Sequence, residues 1–167
     1  YDYPPLLCDT TVLASAFNGT RVMAMSDCVL GALDGVNDHG LSAAIAFGGR
    51  PVVGEGFGIG LVVRYVLECA RSVPEALEML ARVPVQLAYN VALVDAAGRS
   101  AIAYVAPDRP MTVSGAASAA NRQGETEWPE HAAFCDTVAR EYAMSAALLE
   151  PEMTAQGLIA RFVQAPI

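Results

Sequence analysis

The chain has 167 residues, of which 54% are hydrophobic and 17% charged, with a formal net charge of −8. That is enough length and apolar content for a single domain with a real core, and it excludes a disordered or collagen-like polypeptide. The acidic balance argues against nucleic acid and anionic membrane surfaces as partners, and Arg64 interrupts the apolar stretch Ile59 to Leu67 before it could cross a bilayer.

The first half reads as strands. Thr10 to Phe17, the dipeptide Asn18-Gly19 and Thr20 to Ser26 together form a hairpin signal, because Asn and Gly tolerate the left-handed angles a short turn needs. Asp27 to Phe47 reads as a second strand–turn–strand unit, with Gly35, Asn37 and Gly40 as its turn residues. Glycines at 48, 49, 54, 56, 58 and 60 then make a glycine-rich loop whose spacing does not fit the dinucleotide-binding pattern.

A helix follows over Ile59 to Arg71, with Arg64, Glu68 and Arg71 aligned on one face. Ser72-Val73-Pro74-Glu75 supplies a capping box for a second helix, Pro74 to Arg82. Strands return at Leu87 to Asp95 and Ser100 to Ala106, across a turn at Ala96-Ala97-Gly98. Pro107 and Pro110 bracket a loop, and Met111 to Ala120 reads as one or two short strands. Beyond the polar loop Asn121 to Glu127, a long helix is expected from Glu130 to Leu149, packing through Ala133, Phe134, Val138, Tyr142, Ala146 and Leu149. Pro151 ends it, and Thr154 caps a last helix reaching about Val163. Strands, helices, strands, helices in that order define an α+β layered domain covering residues 1–167, with no internal repeat and no linker.

Cysteines stand at 8, 28, 69 and 135 without a Cys-x-x-Cys pair, which suits small buried hydrophobes in a reducing compartment; a bacterial cytoplasmic location is expected. His131 and Cys135 share a helix face, but two ligands do not make a metal site. The nucleophile-elbow, P-loop and zinc-protease patterns are absent. The chain opens on Tyr1 and closes on Gln164-Ala165-Pro166-Ile167 without a cap, so it is expected to be a piece of a longer protein, truncated at both ends.

Five motifs in order carry a family resemblance. Tyr1-Asp2-Tyr3-Pro4 is similar to the end of an Arg-Asn-x-Asp-[Tyr/Trp] motif. Asp34-Gly35-Val36-Asn37-Asp38-His39-Gly40-Leu41 fits a turn leading into an apolar strand. Ala88-Tyr89-Asn90 through Asp95 and Gly98 is similar to a strand–turn–strand around a buried Asp. Ala119-Ala120-Asn121-Arg122-Gln123 stands where a Thr-Asn-[His/Gln] motif is found, and Glu127-Trp128-Pro129-Glu130-His131-Ala132 resembles a Trp-Pro-x-His-Ala helix entry. Together they resemble the choloylglycine hydrolases and the acyl-CoA:6-aminopenicillanic acid acyltransferases (peptidase C45-like), which are N-terminal-nucleophile amide hydrolases.

The resemblance implies a four-layer αββα sandwich, incomplete in this chain, and hydrolysis or acyl transfer at a linear amide. The nucleophile would be a processed N-terminal Cys upstream of Tyr1, whose own α-amino group takes the thiol proton. Asp2 would orient that nucleophile, and Asn121 would donate into the oxyanion hole. Arg122 would stand near an anionic substrate group or serve as a surface residue.

No metal or organic cofactor is implied. The expected partner is a small-molecule amide or acyl substrate, and homo-oligomerisation is left open. Bile-salt hydrolases carry Asn where this chain has Ala46, which points to the acyltransferase-like branch. The isolated piece is expected to be inactive and to expose sheet edges or apolar faces. A non-catalytic α+β binding or scaffold domain is the alternative reading.

Overall fold

The computed structural model describes residues 11–28 and 30–162. Seven strands, β1 (Val12–Ser15), β2 (Val22–Asp27), β3 (Gly31–Asn37), β4 (Ser42–Phe47), β5 (Tyr89–Val94), β6 (Ser100–Ala106) and β7 (Arg109–Ser114), form one sheet in the order of the sequence. Every neighbouring pair is antiparallel. Helices α1 (Ile59–Cys69) and α2 (Val73–Leu80) fill the excursion between β4 and β5, and α3 (Pro129–Phe134), α4 (Thr137–Leu148) and α5 (Ala155–Phe162) follow the sheet.

The register decides which residues enter the core. Ala24, Gly35, Ala43, Leu93 and Ala101 stand in line across five strands, and Ile45, Val91 and Ala103 form the next row. These small and branched side chains let α1 approach closely. Its Val62, Val63, Val66 and Leu67 recur at helical spacing and are almost fully buried. Each such side chain contributes roughly 1.5–3 kcal/mol of transfer free energy. The opposite face carries Met23, Met25, Val36 and Val94, all exposed.

Asn37 joins the two layers. Its Oδ1 accepts from the N–H groups of His39 and Leu41, both at 3.1 Å, and so forms the β3–β4 turn. Its Nδ2 donates to the carbonyls of Leu67 (2.9 Å) and Ala70 (2.7 Å), satisfying the C-terminal end of α1. Gly40 holds φ +81°, and a Cβ there would strike Ala96. Asp34 and Gly35 lie inside β3, so the turn itself is confined to residues 37–41.

Several expected boundaries move. The Asn18-Gly19 signal is met by a 3-10 turn at Phe17–Gly19, with both residues at positive φ; the connection between β1 and β2 is six residues long. Ser72 makes no side-chain cap. The first N–H of α2, on Val73, donates instead to the buried carboxylate of Asp95 at 2.9 Å, and Glu75 accepts from the Arg71 N–H. β7 begins at Arg109 and contains Pro110, which is tolerated because the outer side of an edge strand needs no donor.

The expected long helix is two helices. Asp136 adopts φ +49° and ψ +37°, which separates α3 from α4 without a Gly or Pro to announce it. The break re-aims α4, so its buried residues are Thr137, Met144 and Ala147. Phe134, Val138, Tyr142 and Leu149, read from periodicity as a core face, are exposed. Thr154 does cap α5, its Oγ1 accepting from the Gly157 N–H at 3.0 Å. Among the described residues no helix is long and apolar enough to cross a membrane, and no group of three or more His, Cys, Asp or Glu could hold a metal ion.

Candidate active site

A cavity of about 600 Å³ lies at the junction of β4, β5 and the chain that follows the sheet. Ile45, Ala46, Phe47 and Tyr89 supply its strand side, while Asn121, His131, Phe134, Cys135 and Arg140 supply the other. Aliphatic and aromatic surface thus meets a small set of convergent polar groups, as in sites for small organic ligands. A shallower hollow of about 520 Å³ along β1–β3 offers only the exposed Arg21–Asp38 pair (3.2 Å) as charged chemistry.

Asn121 is half-buried on the cavity wall, and Arg140 Nη1 donates to its Oδ1 at 3.2 Å. A guanidinium can only donate, so this contact fixes which end of the amide is oxygen and leaves Nδ2 as the donor facing other partners. Arg140 Nη1 also reaches the carbonyl of Cys135 at 3.4 Å, tying the α3–α4 break to Asn121.

The backbone beneath Asn121 is held from the sheet. Asn90, 1% exposed as the second residue of β5, donates through Nδ2 to the carbonyls on both sides of Asn121: Ala120 at 2.6 Å and Arg122 at 2.8 Å. Gln123 Nε2 donates to the carbonyls of Tyr89 (3.0 Å) and Val105 (3.1 Å) at the ends of β5 and β6. Gly49, at φ +67°, brings its backbone so close that a Cβ would collide with the Asn121 carbonyl oxygen.

An ionic clasp secures the same loop from outside. Arg50, 8% exposed, donates to both oxygens of Asp108 at 2.8 Å and to Glu127 at 2.7 Å, and Arg109 adds bonds to Glu127 (2.9 Å) and Gln123 (2.7 Å). The Arg50 guanidinium holds the carboxyls of Asp108 and Glu127 below their ordinary range, and Asp108 in turn raises the pKa of Arg50.

Of the residues read from sequence, Asn121 stands on the cavity wall and Arg122 beside it. The Arg122 guanidinium is committed to Glu141 through Nε (2.8 Å) and Nη2 (3.0 Å), which raises its pKa and fastens the loop to α4. Asp2 lies outside the described residues. Cys28 and Cys69 are exposed and do not line this cavity, whereas Cys135 does.

Sequence reasoning gave no role to Asn90 or Arg140, and it placed His131 and Cys135 on one helix face without bringing them to this cavity. The Cys135 sulfur lies 3.4 Å from His131 Nε2, and the imidazole is stacked on Trp128 and set edge-on to Phe47, with ring centroids 5.0 and 5.1 Å away. The i, i+4 spacing of His131 and Cys135 was a usable signal, as was a lone Asn within the apolar run Tyr89 to Val94.

Among the described residues, the antiparallel sheet with α1 and α2 on one face forms part of the fold of the N-terminal-nucleophile hydrolases. An N-acylethanolamine-hydrolyzing acid amidase ortholog from Caenorhabditis elegans is similar over 99% of this chain and 78% of its own, at 13% identity and a TM-score of 0.60. A variant of conjugated bile acid hydrolase from Clostridium perfringens is similar over 72% of this chain at 17% identity and a TM-score of 0.50, and this chain covers 42% of its length. No curated protein sequence matches. The family model of acyl-coenzyme A:6-aminopenicillanic acid acyl-transferase matches residues 1–126, and the chain belongs to that family. The matched family is one of acyl-transferases by its description, and the solved structures of similar fold are an acid amidase and a bile acid hydrolase.

Proposed function

We propose that the whole protein hydrolyses a linear amide, or transfers its acyl group, with an N-terminal Cys nucleophile encoded upstream of Tyr1. The observation that carries this reading is the placement of Asn121: on a cavity wall, its amide oriented by Arg140 and its flanking carbonyls locked by Asn90. A donor so fixed needs no reorganisation as negative charge develops on a carbonyl oxygen. In this reading the thiolate attacks the amide carbon, Nδ2 of Asn121 stabilises the oxyanion, the amine leaves, and water or a second amine resolves the acyl-enzyme. Asp2 orients the nucleophile's amino and thiol groups.

The strand side of the lining and Phe134 suit the apolar part of an acyl group. Ile45, Phe47, Tyr89 and Phe134 offer hydrophobic surface, and Ala46 presents only a methyl group. Arg122, bound to Glu141, holds the loop rather than meeting substrate.

The test uses the full-length protein and a panel of N-acyl amides. Asn121→Ala is expected to lower kcat by roughly 10²–10³-fold with KM little changed, the loss typical of one oxyanion donor. Alkylation of the N-terminal thiol should abolish turnover. Activity of Asn121→Ala within about twofold of the parent would overturn the assignment of Asn121. A full-length protein that turns over no amide in the panel would favour a binding domain instead.

A further inference from the structure

The cavity beside Asn121 carries a charge opposite to that of the molecule. The chain has a formal net charge of −8, yet no Asp or Glu among the described residues lines that cavity, and Arg140 does. All the basic residues are arginines, and among the described residues each one except Arg71 and Arg140 is ion-paired with a carboxylate. Arg71 is exposed to water, whereas Arg140 is half-buried. Its acidic neighbours in sequence do not neutralise it. Glu141 is bound to Arg122, and Asp136 makes no ion pair among the described residues.

The hydrogen bonds of Arg140 leave part of the guanidinium unused. Nη1 donates to two neutral oxygens, Asn121 Oδ1 at 3.2 Å and the Cys135 carbonyl at 3.4 Å. Nε is buried without a partner, and Nη2 makes no hydrogen bond among the described residues. A guanidinium stays charged at any working pH, and its planar fork of donors matches a carboxylate. Withdrawing such a charge from water without an anion is costly, so a cavity of this composition suits an anionic ligand group.

We propose that Arg140 binds a carboxylate of the substrate, placed on the amine side of the scissile amide, with Nη2 as the donor left for it. The substrate class is then an N-acyl amino acid with an apolar acyl group. The inference rests on the amide reading above and deepens it. Two features place the carboxylate. The apolar strand side is taken by the acyl group, which leaves the Arg140 side for the amine. Arg140 also holds Oδ1 of the same Asn121 amide whose Nδ2 faces the scissile carbonyl, so the anion must lie close to the reacting bond, as an α-carboxylate does.

The test uses the full-length protein and two ligand pairs that differ in charge. Hydrolysis is followed with N-hexanoylglycine and N-hexanoylglycinamide. Binding is measured by calorimetry with 4-oxononanoate and 4-oxononanamide, in which a methylene replaces the scissile nitrogen. The carboxylate of each pair should be favoured about 10–100-fold, in kcat/KM and in Kd, the factor that one charge-assisted hydrogen bond supplies. Arg140→Met should bring both ratios to about 1, and Arg140→Lys should retain part of the preference, with unfolding curves confirming that both variants fold. The ratio is the decisive quantity, because losing the contact to Asn121 slows both substrates alike. Arg71→Met removes the same charge from an exposed position outside the cavity and should leave the ratios unchanged.

Ratios near 1 in the parent, or a preference that survives in Arg140→Met, would overturn the proposal. Amide turnover without a charge preference would overturn it while leaving the amidase reading intact. Charge-dependent binding of the ketones without turnover of either amide would uphold the anion site and count against the amidase reading.

Discussion

Replacing Asn90 with Ala probes how far the candidate site depends on the sheet beneath it. Asn90 Nδ2 makes two hydrogen bonds, at 2.6 and 2.8 Å, to the carbonyls flanking Asn121. The substitution leaves both acceptors without that donor, and each stranded buried group costs about 1–3 kcal/mol. Ala120 is 2% exposed, so its carbonyl should suffer near the upper end, whereas Arg122 is half-buried and water can reach it. Against this, Asn90 Oδ1 is buried with no partner among the described residues, and deleting it should return about 1 kcal/mol. The net expectation is a loss of about 2–3 kcal/mol, or roughly 5–10 °C in Tm for a chain of this size. Urea and thermal unfolding of the full-length protein would measure it. Amide turnover should fall further than stability explains, with kcat lowered more than KM is raised, because Asn121 loses both backbone anchors. A stability loss below about 0.5 kcal/mol, the usual scale of a neutral surface change, would refute the reasoning.

Other consequences follow from the same contacts. Gly49→Ala should cost both stability and activity, since φ +67° disfavours a side chain and its Cβ would displace the Asn121 carbonyl; proteolysis of the 121–127 loop and turnover would report the displacement. Arg50→Met should destabilise by roughly 2 kcal/mol in chemical denaturation, below the 3–5 kcal/mol for a fully buried pair, because the Asp108 and Glu127 side chains are 42% and 36% exposed and can rehydrate. The carboxyl of Asp95 is held below its ordinary value, chiefly by the Val73 N–H at the start of α2 and further by the N–H groups of Arg99 and Ala97. A depressed folded-state pKa means this stabilisation is fully present above the unfolded value near 3.9 and is lost as pH falls from there through the folded one. Asp95→Asn should therefore lower stability at neutral pH and flatten its decline below about pH 4, as read by urea midpoints across the acid range.

How much was legible in advance varied with the reach of the interaction. Short-range signals performed well: the antiparallel hairpins, the two helices between β4 and β5, and the Thr154 cap each follow from residues close in sequence. Ser72 shows where such signals mislead. Its capping box is locally sound, but Asp95, 22 residues beyond Val73, supplies the acceptor once the sheet brings it to the start of α2. Pro110 reads as a loop residue until the sheet order makes β7 an edge. The run from Glu130 to Leu149 reads as one helix because only the backbone angle of Asp136 interrupts it, and a single left-handed residue leaves no trace in hydrophobic spacing.

The sequence by itself determined the class of architecture and the family, because strand alternation, turn chemistry and ordered motifs are all written locally along the chain. It also pointed to Asn121 as a residue worth following. Only the tertiary structure decided what surrounds that residue: Asn90 from the sheet, Arg140 from α4, Gly49 from the loop after β4, and Cys135 against His131 at a helix break. Those groups are as far apart as 91 residues along the chain, from Gly49 to Arg140. No local pattern encodes such a meeting, because it is fixed by strand register, by one left-handed backbone angle and by which buried polar atoms must find partners.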